Sequence, residues 1–232
     1  MKTADLYKEV LERFEHEMPM PETELHYANP FQLLIAVILS AQCTDRRVNM
    51  VTPELFRAYP TPQAMAKAEP EDIYEYIKSI SYPNNKAKAL CGMARALMDH
   101  FDGQVPSEFD DLLSLPGVGR KTANVMLAVV YGKSAMAVDT HVFRVSNRIG
   151  LTNNSKTPLA TERTLMRHIP AETVPKAHHW LILHGRYMCT ARRPDCGHCY
   201  LADLCKHHKS QVKDKSAIDS SGKQAAKSNP KK

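Results

Sequence analysis

Four of the six cysteines of this chain fall in one short segment, residues 189–205, which reads "CTARRPDCGHCYLADLC" with spacers of six, two and five residues. In a reducing compartment, thiols grouped in this way indicate metal binding or redox chemistry rather than structural disulfides. Four thiolates suit a tetrahedral zinc ion and equally a [4Fe–4S] cluster. Spacing alone leaves both open, and a redox pair formed by Cys196 and Cys199 is a third possibility.

A second candidate for chemistry lies in "LLSLPGVGRKTANVMLAVVYG" (112–132), where two helical patterns meet at Pro116-Gly117-Val118-Gly119. Two glycines allow the backbone to approach a ligand closely, and the free N–H groups of the following helix favour a phosphate. The arrangement is typical of a helix-hairpin-helix, which holds the DNA backbone without reading sequence. A plain helical corner that uses glycine as a cap is the alternative.

Lys121 follows Arg120 in the first turn of that helix. Cations are disfavoured there because the positive end of the helix dipole is close. Residues that go against such a local preference often have a functional role. The amine could serve as a nucleophile, or Lys121 could only bind a phosphate.

Asp139 lies downstream in "AMAVDTHVFRVSNRIGL" (135–151), where an apolar run ends and a helix begins. Such an aspartate is commonly an N-cap. A carboxylate beside the Lys121 amine could instead accept a proton and stabilise positive charge developing on a sugar.

The elements around these residues are predicted to be helical throughout. In "ADLYKEVLERF", Leu6, Val10, Leu11 and Phe14 share one face, and "NPFQLLIAVILSA" begins with Asn29 as a cap and Pro30 at the first helical position. Further helices are predicted over residues 45–58, 70–79, 84–100, 107–113, 119–131, 140–149, 159–168 and 174–185, with Thr61, Ser107 and Thr173 at cap positions.

Charge is distributed unevenly along the chain. Residues 1–119 carry 11 basic and 18 acidic side chains, whereas residues 120–205 carry 12 basic and 5 acidic ones. The basic part is a candidate surface for a polyanion, with ordinary solvated charge as the alternative. The acidic N-terminal segment lacks the apolar core of a secretory signal, and no apolar run is long enough to span a bilayer. We therefore expect a cytosolic protein with no membrane contact.

These motifs together closely resemble endonuclease III, a family of DNA glycosylases with lyase activity on abasic sites. The resemblance rests on "LSAQCTD" (39–45), "LPGVGRKTA" (115–123), "VDTHVFRV" (138–145), and "HHWLILHGRYMC" (178–189) followed by the C-x6-C-x2-C-x5-C segment. It covers nearly all of residues 1–206. It implies an all-α fold of two helical domains flanking a catalytic groove, with a six-helix hairpin domain over 23–133, an iron–sulfur domain from 1–22 and 134–206, and a disordered basic tail over 207–232.

The resemblance also assigns roles to individual residues. It implies that Lys121 is the nucleophile, assisted by Asp139, and that a [4Fe–4S] cluster is held by Cys189, Cys196, Cys199 and Cys205. The predicted substrate is double-stranded DNA with oxidised pyrimidines or abasic sites, bound by a nucleoid-associated monomer. The predicted DNA contacts are Gln42, Tyr82, Gly117, Val118, Gly119, Arg120, His141, Arg144, Arg186, Arg192 and Arg193.

One segment departs from the family pattern. Where that pattern has I-G-aliphatic-aromatic-x-x-K-A, this chain has "ISYPNNKA" (80–87), so Tyr82 takes the position of an aliphatic wedge. An aromatic ring can also stack on bases. The substitution nevertheless leaves open which base the protein prefers opposite the damaged nucleotide. Three other functions remain as alternatives: an adenine-removing mismatch glycosylase, a non-enzymatic DNA-binding protein and a zinc-stabilised interaction module.

Overall fold

The computed structural model describes residues 1–212, and within them the chain forms α-helices and no strand. This confirms the all-α class for the described residues. None of the helices there has the length and apolar character needed to cross a membrane. The helices up to residue 187 are α1 Thr3–Glu17, α2 Pro30–Ser40, α3 Asp45–Ala58, α4 Pro62–Ala66, α5 Pro70–Ile77, α6 Pro83–His100, α7 Phe109–Ser114, α8 Arg120–Val129, α9 Thr140–Ile149, α10 Pro158–His168 and α11 Val174–Tyr187.

The chain divides into two compact units. The hairpin unit comprises Glu22–Ala137 and Ala171–Pro175, and the cysteine unit comprises Met1–Pro21, Val138–Pro170 and the chain from Lys176 onward. The domain bounds expected from sequence stay a prediction.

The hairpin unit is organised around α2, which is apolar nearly all round. Asn29 caps this helix by accepting a hydrogen bond from the Gln32 amide, and Pro30 occupies its first turn, as predicted. Its residues from Leu33 to Leu39 are all buried. Burying a side chain such as Leu34 stabilises the fold by roughly 1.5 to 3 kcal/mol relative to exposing it.

The cysteine unit has a smaller core in which α1 and α11 meet. Phe14 stacks on Trp180 with ring centroids 5.8 Å apart, and the Trp180 indole donates to the Met18 carbonyl at 2.7 Å. The Tyr7 hydroxyl donates to the Leu151 carbonyl at 2.7 Å, so the N-terminal helix is fixed to the chain that follows α9.

Apart from helix ends that lie one or two residues from the predicted ones, the structure differs from the sequence predictions at three places. Helix α4 was not among the predicted helices, because five residues are too few for a periodic pattern. Its cap was predicted correctly, since the Thr61 side chain accepts a hydrogen bond from the Ala64 amide. Ser107 is not a cap: Glu108 holds the N-cap position of α7, and the Ser107 hydroxyl points to the Glu108 carboxylate at 3.4 Å. Residues 206–212, most of which lie in the segment predicted to be disordered, are helical and begin with a bond from the Lys209 amide to the Cys205 carbonyl. The rest of the predicted tail lies outside the described residues.

Candidate functional site

The turn between α7 and α8 brings the backbone unusually close to a neighbouring helix. Gly117 has a φ of +81°, and a Cβ placed there would lie 2.8 Å from the Cβ of Ala89. Only glycine combines this left-handed conformation with so close an approach. Gly119 is the N-cap of α8 and provides no side-chain cap, so no side chain of the cap residue competes for the first N–H groups of the helix. These groups suit an anion such as a phosphate.

Arg120 and Lys121 form the first turn of α8, and both side chains are exposed. The Arg120 guanidinium lies over the Phe109 ring, 5.0 Å from its centroid, which orients it against α7. One turn later, the buried Asn124 amide donates to the Met136 carbonyl at 3.0 Å. This bond fixes to α8 the segment that leads directly to Asp139.

Asp139 is the N-cap of α9, as the simpler interpretation of its position predicted. Its Oδ1 accepts hydrogen bonds from the His141 and Val142 amides, each at 2.8 Å. The carboxylate is therefore held in one orientation while its side chain stays partly exposed. Capping and a role in chemistry are compatible, because a fixed carboxylate needs no reorganisation when positive charge develops beside it.

His141 and Arg144 lie on α9, and both side chains contact other residues of the cysteine unit. A Cβ on Gly185 would come within 2.8 Å of the His141 Cβ, so this glycine allows α11 to pack against His141. The Arg144 guanidinium donates to the Gly185 carbonyl at 2.8 Å and to the Cys189 carbonyl at 3.2 Å, and it contacts His141 Nδ1 at 3.2 Å. Burial lowers the pKa of Arg144. These contacts give Arg144 a part in holding the cysteine segment.

The four cysteines of the segment line one pocket, which opens to solvent. Burial raises the pKa of the Cys199 thiol to about 11 and also raises that of Cys205. Within residues 1–212, no three His, Cys, Asp or Glu side chains converge on a point that could hold a single metal ion. Thiols that surround a space suit the multi-iron core of an iron–sulfur cluster, whose charge would stabilise them as thiolates.

Arg148 also belongs to this region, although the sequence analysis did not select it. Its guanidinium donates to the Thr190 carbonyl at 2.7 Å, to the Ala191 carbonyl at 2.8 Å and to Cys189 Sγ at 3.5 Å. The Cys205 thiol in turn donates to the Arg148 carbonyl at 3.3 Å. The spacing of Arg144 and Arg148, one helical turn apart, was the signal that could have indicated a shared face toward the cysteine segment.

The basic residues expected to contact phosphate differ in exposure. Arg192 and Arg193 are exposed in the cysteine segment, where the Thr190 hydroxyl closes a turn by donating to the Arg193 carbonyl at 2.6 Å. Arg186 is only partly exposed on α11, and its charge contributes to lowering the pKa of His179, after the larger effect of burial.

Gln42 and Tyr82 lie in two turns of the hairpin unit, and both are exposed. Both adopt left-handed backbone conformations, with φ of 54° and 56°. For residues other than glycine such conformations are strained and tend to occur at functional sites. Sequence reasoning missed two neighbours: the Ser81 hydroxyl donates to the Gln42 carbonyl at 2.7 Å, and the buried Lys86 amine donates to the Leu39 and Ala41 carbonyls.

Comparison with known proteins relates this chain to a class of DNA repair proteins. Residues 35–171 match the HhH-GPD superfamily of base excision DNA repair proteins, and residues 189–205 match the iron–sulfur binding domain of endonuclease III. The chain is 47% identical over 205 residues to endonuclease III of Rickettsia conorii, which covers 88% of this chain and 97% of that protein. It is 46% identical over 199 residues to endonuclease III of Escherichia coli K12, covering 86% and 94%.

Solved structures agree with this relationship. A trapped covalent endonuclease III–DNA intermediate superimposes with a TM-score of 0.86 at 43% identity, covering 91% of this chain and all of that one. A non-covalent endonuclease III–DNA complex gives the same TM-score and identity, covering 92% of this chain. The chain belongs to the endonuclease III family, as its motifs predicted, and its cysteine segment is an iron–sulfur binding domain.

Proposed function

We propose that the protein is a bifunctional DNA glycosylase and abasic-site lyase that removes oxidised pyrimidines from double-stranded DNA in base excision repair. The observation that carries this proposal is the placement of an exposed lysine, Lys121, in the first turn of a helix that begins at Gly119 and whose first N–H groups suit an anion. The relatives that resemble this chain over nearly their whole length include one trapped covalently on DNA.

The reaction proposed for Lys121 needs its amine in the neutral form. The amine attacks C1′ of the sugar, the bond from C1′ to the base breaks, and the base leaves with the bonding electrons. Loss of the amine proton and opening of the sugar ring give an imine between Lys121 and C1′. Removal of a C2′ proton then expels the 3′ phosphate and cuts the strand. Asp139 supports the first step by balancing the positive charge that develops on the sugar.

The remaining residues would bind and deform the DNA. The Gly117–Gly119 turn and the N-terminus of α8 would hold a phosphate, while Arg192 and Arg193 would contact phosphates from the cysteine segment. Gln42 and Tyr82 would enter the duplex where the damaged nucleotide leaves it, since base flipping opens a gap in the stack. Cys189, Cys196, Cys199 and Cys205 would hold a [4Fe–4S] cluster, which stabilises the segment that presents these arginines.

Activity on a duplex with one thymine glycol tests the proposal, with separate measurements of base release and strand cleavage. Lys121→Gln should abolish both while DNA affinity is retained, because the backbone amides of the hairpin remain. Lys8→Gln is the matched control, since Lys8 is an exposed lysine of α1 that forms a long ion pair with Glu12 at 3.9 Å. It should behave as wild type.

Asp139→Asn separates the two steps. The amide keeps the cap geometry but removes the charge, so base release should slow by about a hundredfold or more. On DNA that already lacks the base, strand cleavage should be affected less. The proposal is contradicted if the wild-type protein binds the damaged duplex but neither releases the base nor cuts the strand. The protein would then bind DNA without this enzymatic activity.

A further inference from the structure

The turns that carry Gln42 and Tyr82 are far apart in the chain but directly connected in the fold. The Ser81 hydroxyl donates to the main-chain carbonyl of Gln42 at 2.7 Å, across 39 residues of sequence.

Lys86 fixes the same region from the interior. Its side chain is only 7% exposed, and its amine donates to the Leu39 carbonyl at 2.8 Å and the Ala41 carbonyl at 2.7 Å. These carbonyls lie at the end of α2, where a helix leaves carbonyls without partners and favours a positive charge. The amine thus holds the chain immediately before Gln42.

Both turns are held in a conformation that the isolated chain would avoid. Gln42 and Tyr82 each adopt a left-handed φ, which is strained for residues other than glycine. Such strain persists only where surrounding bonds determine the geometry, and the bonds of Ser81 and Lys86 are placed to do this. Tyr82 is 61% exposed despite its large apolar ring, which leaves it available to stack on a base.

We propose that Ser81 is a positioning residue that joins the Gln42 and Tyr82 turns, so that both enter damaged DNA as one preformed element. The buried Lys86 amine stabilises the joined turns from the protein interior, because it bonds to the carbonyls at the end of α2. This inference rests on the proposed function, because it assumes that Gln42 and Tyr82 act inside the duplex. Preorganisation lowers the ordering cost that each turn would otherwise pay during binding.

The test uses a duplex with 2-aminopurine opposite a stable abasic analogue, where increased fluorescence reports displacement of the opposite base. Ser81→Ala removes the donor and should slow both this displacement and single-turnover excision of thymine glycol by about threefold to tenfold, the range expected for one hydrogen bond. Ser81→Thr retains a hydroxyl and should restore most of the rate. Ser210→Ala is the matched control, because the Ser210 hydroxyl also donates to a carbonyl, that of His207 at 2.8 Å, and it should leave both rates unchanged.

The Gln42→Ala background distinguishes positioning from general stability. If Ser81 acts through the Gln42 turn, adding Ser81→Ala to Gln42→Ala should change the rates by less than about twofold, since coupled residues are not additive. A full additional loss in that background, or wild-type rates for Ser81→Ala alone, would overturn the inference. Wild-type protein that displaces no base and excises none would instead refute the proposed function itself.

Discussion

The hairpin unit and the cysteine segment hold functional residues in place by different means. In the hairpin unit, Lys121 and the Gly117 turn rest on a continuous apolar core that includes α2, α6 and α8. Of residues 189–205, only Leu201 and Cys205 are buried. The guanidinium groups of Arg144 and Arg148 donate to the Cys189 and Thr190 carbonyls of that segment, and we propose that its four thiols hold it through a cluster. On this proposal, one site depends on burial and backbone conformation, and the other depends on its ligands.

The largest effect that this comparison predicts follows the loss of a cluster ligand. Cys199→Ser should reduce bound iron and sulfide and destabilise the cysteine unit by at least about 4 kcal/mol, since loss of a metal site is among the most destabilising changes. Hydrogen exchange should show the loss of protection in the cysteine unit, while α2 and α6 keep theirs. Cys91→Ser provides a control for loss of a thiol alone, because Cys91 is a buried core residue of α6. Equal loss of protection in both units would contradict the distinction.

A smaller effect is expected in the hairpin turn. Gly117→Ala forces a Cβ into the left-handed region and to within 2.8 Å of the Ala89 Cβ. Unfolding should become easier by about 2 kcal/mol, with an αL penalty of roughly 1 to 2 kcal/mol as the main part. Gly119→Ala is the comparison, because a Cβ there meets no atom within 4 Å. Denaturant titration should show stability near wild type for Gly119→Ala, and equal destabilisation by the two variants would show that the turn is not strained at Gly117.

The stability of the cysteine unit should also depend on pH through His179. Burial, with a contribution from Arg186, lowers the pKa of His179 to about 4. Between that value and the ordinary pKa of about 6.5, the unfolded chain binds a proton that the folded chain does not. Stability should therefore fall by about 1 kcal/mol from pH 7 to pH 5 because of this side chain, which is partly exposed. His179→Gln should make the pH dependence measured by thermal unfolding shallower, and an unchanged dependence would exclude His179 as its source.

The smallest effect concerns phosphate contacts of the cysteine segment. Arg193→Ala should weaken binding to all DNA sequences alike and reduce the slope of log affinity against log salt by about one at most. Filter binding at several salt concentrations measures this. A loss confined to one sequence context would mean that Arg193 contacts bases.

The sequence predicted regular elements better than it predicted the turns that carry Gln42 and Tyr82. The helices over 45–58 and 140–149 were predicted with the bounds that α3 and α9 have, because caps and apolar periodicity are local signals. The left-handed turns at Gln42 and Tyr82 could not be predicted, since they depend on bonds from Ser81 and Lys86 across tens of residues.

The candidate chemical residues were predicted only in part. Local patterns selected Lys121, Asp139 and the four cysteines, but the role of Arg148 depends on contacts with a segment about 40 residues away. The predicted DNA contact of Arg144 stays a prediction, while its guanidinium bonds within the cysteine unit.

The central claim is that Lys121 forms the covalent bond to DNA, and the site of that bond can be measured directly. Wild-type protein would be incubated with thymine glycol duplex and borohydride, digested with trypsin and nuclease, and analysed by mass spectrometry. We predict that the nucleotide remnant lies on Lys121 and blocks cleavage there, so that it appears on the peptide spanning residues 121–133. A remnant on another lysine or on the N-terminal amine, with Lys121 unmodified, would contradict the account.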